Sequence, residues 1–406
     1  MSDQTERLLA DARAHLLETY RQPAVVLERG EGCRVWDTEG RAYLDLYAGI
    51  AVSALGHAHP ALVQAIAAQA GKLIHTANYF YNEPNVRAAA KLCALGKMDR
   101  VFFTNSGTEA IEGAMKLSRR FHFAQQNPTR LGLVATHNSF HGRTMGAVSL
   151  TGQPKYWEGF DAPIAHVSHV PYGDLDAMNR RVNDQTAAVF VEPVQGEGGV
   201  LPAPPGYLQG LRDLCDRVGA LLVFDEIQTG IGRTGKFFAW HHEGVQPDIV
   251  CAAKGIAGGV PMGAFLVTER VSKALSPGTH GTTFGGNALA SAAALAVFDA
   301  LENSPLMAHV VAMGEHLLAG LSALVAKHPE VAVAARGRGL LCGIELAKHV
   351  DVRTVMDALR AKGVLVSTAG TSVIRFAPPL VVSRDELDEG LSALNDVLAV
   401  SMKALP

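Results

Sequence analysis

The sequence predicts an α/β fold: a large domain whose mostly parallel sheet is flanked by helices, followed by a small α+β domain at the C-terminus. Three observations predict it. Between about residues 60 and 300, short apolar runs alternate with helical patterns, the rhythm of buried parallel strands covered on both faces. Beyond about residue 300 the pattern changes to one helix, three short strand-like runs and a last helix. The length of 406 residues, 48% of them apolar, is enough for large cores in two or three domains.

The elements follow in order. "MSDQTERLLADARAHLLETY" has a helical pattern, and "GCRVWDTEGRAYLDLYAGI" alternates in polarity around Thr38–Gly40, which suggests a hairpin. Together residues 1–59 are expected to join the small domain. Residues 60–300 form the large domain, with helices over 60–73, 85–96, 108–125 and 206–218. Its strands are expected in "RVFFTN", "LGLVATH", "AAVFVEPV", "ALLVFDE", "DIVCAAK" and "GAFLVT". Residues 301–406 form the small domain, with strands in "LLCGIEL", "GVLVS" and "VIRFAPPL".

Composition excludes several function classes. A net charge of −3 gives no electrostatic case for nucleic acid or an anionic membrane. Cys33, Cys93, Cys215, Cys251 and Cys342 are scattered, with no CxxC pair, as expected of reduced thiols in a cytoplasmic protein. The N-terminus lacks a secretory apolar region, and its acidic residues argue against a transit peptide. "NALASAAALAVF" is too short to span a bilayer.

The chemistry gathers at the carboxyl ends of the expected strands, where open α/β sheets hold their ligands. Lys254 follows the run "DIVCAA" and precedes a glycine-rich loop, an unusual place for a solubilising lysine. Asp225 ends "LLVFD" at the same sheet edge. "TNSGTEAIEG" places Ser106, Gly107 and Thr108 at the start of a strong helix, whose free N–H groups and dipole make a seat for a phosphate. Ordinary capping by Thr108 and Glu109 is the bland alternative. "HGTTFGGNALA" adds Thr282 and Thr283. Phe140 and His141 are expected to end the next strand, with Arg143 close behind. Phe140 on one side and Ile227 on the other would sandwich a planar ring. A lysine nucleophile, an acid for a pyridine nitrogen, a phosphate seat and an aromatic plate together describe pyridoxal 5′-phosphate.

The pieces "YLDLYAGIAVSALGHAHP", "NYFYNEP", "NSGTEAIEGAMKL", "FHGRT", "EPVQGEGGV", "LLVFDEIQTGIGRTG", "PDIVCAAKGIAGGVPMGA", "HGTTFGGN" and "IRFAPPL" stand in one order over roughly residues 20–400. In this the chain resembles the class III (subgroup II) aminotransferases of fold type I, within them those acting on N-acetylornithine. The resemblance implies that Lys254 attaches the cofactor and serves as acid and base in the proton shift. Asp225 would pair with the ring nitrogen and Gln228 with the ring's phenolic oxygen. Ser106, Gly107 and Thr108 would hold the phosphate with Thr283 of a second subunit, so a homodimer is implied. His141 joins the cofactor contacts. Arg143, Glu197, Thr282 and Arg375 would serve the substrates, Arg375 taking an α-carboxylate and Glu197 neutralising it when the other substrate enters.

The implied reaction moves the δ-amine of N2-acetyl-L-ornithine to 2-oxoglutarate. Ala51 and Val52 stand where relatives acting on free ornithine tend to carry a tyrosine, which favours an acylated nitrogen. Succinylornithine, ornithine and 4-aminobutyrate remain alternative donors, and a non-catalytic binding relative is a remote one. "GIGRTG" (230–235) matches a dinucleotide fingerprint but does not sit at a strand-to-helix turn. The pairs His57/His59, His166/His169 and His241/His242 lack the acid cluster of a metal site, and no metal is expected.

Overall fold

A computed structural model describes residues 1–403, so the last three residues of the expected small domain lie outside it. A first helix covers Asp3–His15. Strands β1 (Leu27–Glu31), β2 (Arg34–Asp37) and β3 (Ala42–Asp45) then form an antiparallel meander, with the expected turn between β2 and β3.

The central sheet is built from β4 (Arg100–Thr104), β5 (Gly132–Thr136), β6 (Val167–Val170), β7 (Thr186–Val191), β10 (Leu221–Asp225), β11 (Ile249–Ala252) and β12 (Gly263–Val267), with the two-residue β8 (Val194–Gln195) and β9 (Leu201–Pro202) forming a separate ribbon. Its order is β4-β12-β11-β10-β7-β5-β6. Only β12 runs against its neighbours, β4 and β11. The carboxyl ends of the other six strands and the start of β12 therefore share one edge.

Side chains on the central strands divide between two cores with the period of two that a strand imposes. Leu222 and Phe224 enter one cluster, Leu221 and Val223 the other. The second cluster is completed by Ile111, Ala114 and Leu117 of the helix Gly107–Ala124. By the same alternation Asp225 ends β10 on the face that this helix covers. β7 and β10 are buried along their whole length, as strands covered on both faces must be.

The C-terminal part holds β13 (Ala332–Arg338), β14 (Leu341–Leu346), β15 (Val364–Leu365), β16 (Ser367–Ala369) and β17 (Val373–Phe376). β13, β14, β17 and β16 make an antiparallel sheet. β15 instead pairs with β3, tying the N-terminal meander to the C-terminal part. The helix Leu306–Lys327 is long and apolar enough to cross a membrane by length and composition. Its buried stripe, Val310, Met313, Leu317, Leu321 and Leu324, recurs every three to four residues and packs on β13, β14 and the final helix.

Candidate active site

β10 and β11 are adjacent and parallel, with Asp225 beside Cys251. Lys254 follows three residues later, after the chain has turned into a short 3-10 helix over Lys254–Ala257. Its φ of +48° is left-handed, a conformation that costs a non-glycine residue about 1–3 kcal/mol. That local strain aims the lysine into a cavity of about 460 Å³, within the usual range of small-ligand sites.

The cavity brings together Ser106, Gly107, Thr108, Phe140, His141, Arg143, Glu197, Asp225, Ile227, Gln228 and Lys254. Arg375 lies just behind it, and Thr282 touches Asn105 of the lining through a 3.4 Å hydrogen bond. Thr283 is exposed and away from this cavity. Phe140 and His141 do not end β5. They lie in the loop after Thr136, where the backbone leaves the sheet to bridge from His137 to Gly152.

The helix start is capped by Ser106, not Thr108. Ser106 Oγ accepts from Glu109 N, and Glu109 Oε2 accepts from Asn105 N at 2.7 Å. The helical ladder begins with Ala110 N donating to Ser106 O. The amides of Gly107 and Thr108 are thus the ones the helix leaves for an anion. A Cβ on Gly107 would fall 2.8 Å from Ile227 Cδ1, so any larger residue would push the Ile227 side chain aside.

Electrostatics distinguish three groups. His141 Nδ1 donates to Asp225 Oδ2 at 2.7 Å, and Ile227 N donates to Asp225 Oδ1 at 3.0 Å. Burial lowers the His141 pKa, but the bond to Asp225 and its charge outweigh this and the net shift is upward. Lys254 is pushed down to about 8, chiefly by burial, with Arg375 adding to the fall and Glu197 and Asp225 opposing it. About a tenth of its amine is therefore neutral at pH 7, far more than in an ordinary lysine. Arg375 Nη1 donates to Glu197 Oε1 at 2.5 Å and to Gln228 Oε1 at 3.2 Å, while its Nε donates to Ser367 Oγ at 3.0 Å. Although burial raises the Glu197 pKa, Arg375 and then Lys254 bring it down, so this carboxyl stays ionised.

The structure adds residues that the sequence reading passed over. Glu192 follows the last residue of β7, is buried, and accepts from Phe140 N at 3.1 Å and Gly196 N at 3.3 Å. It links the loop carrying Phe140 to the loop carrying Glu197, and burial raises its pKa. Its signal, an acid directly after a buried strand, is the same one that marks Asp225. Residues 48–51 form a left-handed turn with φ of 50°, 61°, 68° and 62°. Asp45 Oδ1 holds it by accepting from Tyr47 N and Ala48 N, and the turn delivers Val52 to the cavity wall.

The rival motifs have other uses. In "GIGRTG" the buried Arg233 donates to Leu340 O and Pro378 O, tying this turn to the C-terminal part. His57 bonds Asp45, while His169, His241 and His242 bond backbone carbonyls.

A lysine whose amine is partly neutral, a buried carboxylate facing it from the next strand, and a helix start with two free amides define an enzyme that fastens a phosphorylated carbonyl cofactor. The family model for aminotransferase class III matches residues 17–398, and the chain belongs to that family. It is an aminotransferase dependent on pyridoxal 5′-phosphate. The acetylornithine aminotransferase of Myxococcus xanthus is 47% identical, over 95% of this chain and 96% of that one. The succinylornithine transaminase/acetylornithine aminotransferase of Pseudomonas aeruginosa is 46% identical, over 98% and 97%. The ornithine aminotransferase of Toxoplasma gondii, solved with PLP at partial occupancy in its active site, superposes with a TM-score of 0.93 at 34% identity, over 98% of this chain and 95% of that one.

Proposed function

We infer that this chain transfers the δ-amino group of N2-acetyl-L-ornithine to 2-oxoglutarate, giving N-acetyl-L-glutamate 5-semialdehyde and L-glutamate, a step of arginine biosynthesis. The observation that carries this reading is the contrast between two arginines. Arg375 is buried and held by Glu197, whereas Arg143 is exposed at the cavity mouth, where no ion pair ties it among the described residues. A donor that presents its carboxylate far from the reacting amine meets Arg143 and leaves the inner pair closed. Glutamate and 2-oxoglutarate carry an α-carboxylate beside the reacting carbon, and they displace Glu197 from Arg375.

When bound, pyridoxal phosphate supplies an aldehyde that condenses with amines and a protonated ring that accepts electron density. The chain's own residues do the rest. Asp225, held by His141, would keep a proton on the ring nitrogen. Gly107 and Thr108 would receive the phosphate, with Ser106 fixing the helix start. Phe140 and Ile227 would confine the ring. Gln228, which lines the same cavity, would serve the phenolic oxygen. Lys254 would be the attachment point and the group that carries the proton between the two carbons flanking the transferred nitrogen.

Val52 favours an acylated donor, since a small apolar wall offers nothing to a charged α-ammonium group. The Pseudomonas relative's name supports N-succinylornithine as a second donor. Steady-state kinetics with acetylornithine, succinylornithine, ornithine and 4-aminobutyrate test the assignment: acetylornithine should give the highest kcat/KM, and a higher value for free ornithine would overturn it.

The functional unit we infer is a homodimer. Tyr79, Phe80 and Tyr81 are 93%, 73% and 95% exposed, and Phe284 is 60% exposed. Asn78 Nδ2 donates to Thr282 O and Gly285 O, joining these segments into one apolar patch beside Thr283. Burial of this patch against a second copy would carry Thr283 to the other copy's phosphate seat. Five free thiols suit the cytoplasm. The pairing of β3 with β15 supports dividing the chain into an N-terminal segment (1–59) joined to a small domain (301–406) around a large cofactor domain (60–300).

A further inference from the structure

Arg143 is exposed on a long side chain with four rotatable bonds, yet it has a definite resting place. Its guanidinium carbon lies 3.8 Å from the centroid of the Tyr156 ring and 5.6 Å from that of Phe140. The Tyr156 and Phe140 rings meet edge to face at 5.9 Å. A second cation, Lys155 Nζ, stands 4.9 Å from the Tyr156 centroid. No ion pair ties either cation to an acid among the described residues.

Tyr156 is itself fixed. It ends the short 3-10 turn Pro154–Tyr156, and the next residue, Trp157, donates from Nε1 to Val148 O at 3.0 Å and Thr151 O at 2.9 Å. Those carbonyls belong to the helix Met145–Leu150 and its C-cap, two residues beyond Arg143. The ring and the arginine it receives are therefore anchored to one element. A guanidinium held over an aromatic face by its carbon keeps N–H groups free for a carboxylate.

We propose that Tyr156 is a positioning residue that parks Arg143 at the cavity mouth and so sets the preference for amine donors bearing a distal carboxylate. The proposal rests on the donor reading given above. It assigns the work to the ring face, because no hydrogen bond of the Tyr156 hydroxyl occurs among the described residues.

The test compares two donors in single-turnover reactions of the holoenzyme: N-acetylornithine, and N-acetyl-1,4-diaminobutane, which is the same molecule without its carboxylate. The wild type should prefer the carboxylated donor. Tyr156→Ala should shrink that preference by about 3- to 30-fold, the range expected for losing a cation–π contact. The loss should sit in the apparent Kd for N-acetylornithine and exceed any change for the descarboxy donor, which reads the effect passed on through Phe140 alone. Tyr156→Phe, which keeps the ring, should retain the wild-type preference. An unchanged preference in Tyr156→Ala, an equal loss for both donors, or a failure of phenylalanine to rescue would each overturn the proposal while leaving the donor reading intact. If the wild type itself does not distinguish the two donors, the donor reading at Arg143 falls and the proposal falls with it.

Discussion

Replacing Glu197 with alanine removes the carboxylate that occupies Arg375 in the absence of substrate. The two side chains meet at 2.5 Å, with Arg375 2% exposed and the Glu197 side chain 25% exposed. A net charge-assisted hydrogen bond of this kind is worth about 1.5–3 kcal/mol, so an incoming α-carboxylate freed from that competition gains roughly 10- to 150-fold in affinity. The donor with a distal carboxylate gains nothing, because Arg143 receives it. The ratio of kmax/Kd for glutamate to that for N-acetylornithine should therefore rise at least about tenfold. Folding stability should fall by about 3 kcal/mol, the low end for breaking a buried pair, since Gln228 Oε1 still accepts from Arg375. Stopped-flow half-reactions with each donor measure the ratio, and a thermal melt measures the stability. A ratio that stays put, or moves toward N-acetylornithine, would refute the inference that Glu197 gates Arg375.

Three further outcomes are expected. In the cofactor-free protein, the rate at which pyridoxal phosphate becomes attached should rise with pH through about 8 and then level off, because only the neutral Lys254 amine attacks; a midpoint near the ordinary value of 10.5 would contradict the burial argument. The midpoint should shift lower still in Glu197→Ala, which removes the largest charge holding that proton. Asp225→Asn should lower the His141 pKa, since burial alone depresses it, and should slow proton removal from the substrate; NMR titration of the imidazole and a deuterium-sensitive single-turnover rate check both. Gly107→Ala should weaken cofactor retention without unfolding the chain, because the new methyl meets the flexible Ile227 side chain; dialysis followed by fluorescence titration would expose an unaltered affinity if this is wrong.

The central strands were legible because each is a short apolar run between helical patterns, and complete burial leaves few residue types to choose from. Direction was less legible: "GAFLVT" reads the same in a parallel or antiparallel strand, and β12 runs against its neighbours. The edge strands β6, "VSHV", and β13, "AVAARGR", carry polar and charged residues and gave no apolar signal. Within the site, Asp225 and Lys254 stood out because charge is rare beside buried strands. Glu192 obeyed the same rule and was passed over. The left-handed turn at Ala48–Ala51 was invisible, since alanine and isoleucine oppose that conformation and only Asp45 and the surrounding fold impose it. Phe140 and His141 were placed at the end of a strand because the aromatic Phe140 reads as a continuation of the apolar run, whereas β5 ends at Thr136 and the chain turns at Asn138 with a φ of 63°.

The most direct measurement is reduction of the purified holoenzyme with borohydride, followed by peptide mapping of the pyridoxyl label. The account requires a single adduct on Lys254, with no label in Lys254→Ala and a turnover at least about a thousandfold lower there, on the order of 4 kcal/mol of barrier. A label on any other lysine, or near-normal turnover without Lys254, would contradict it.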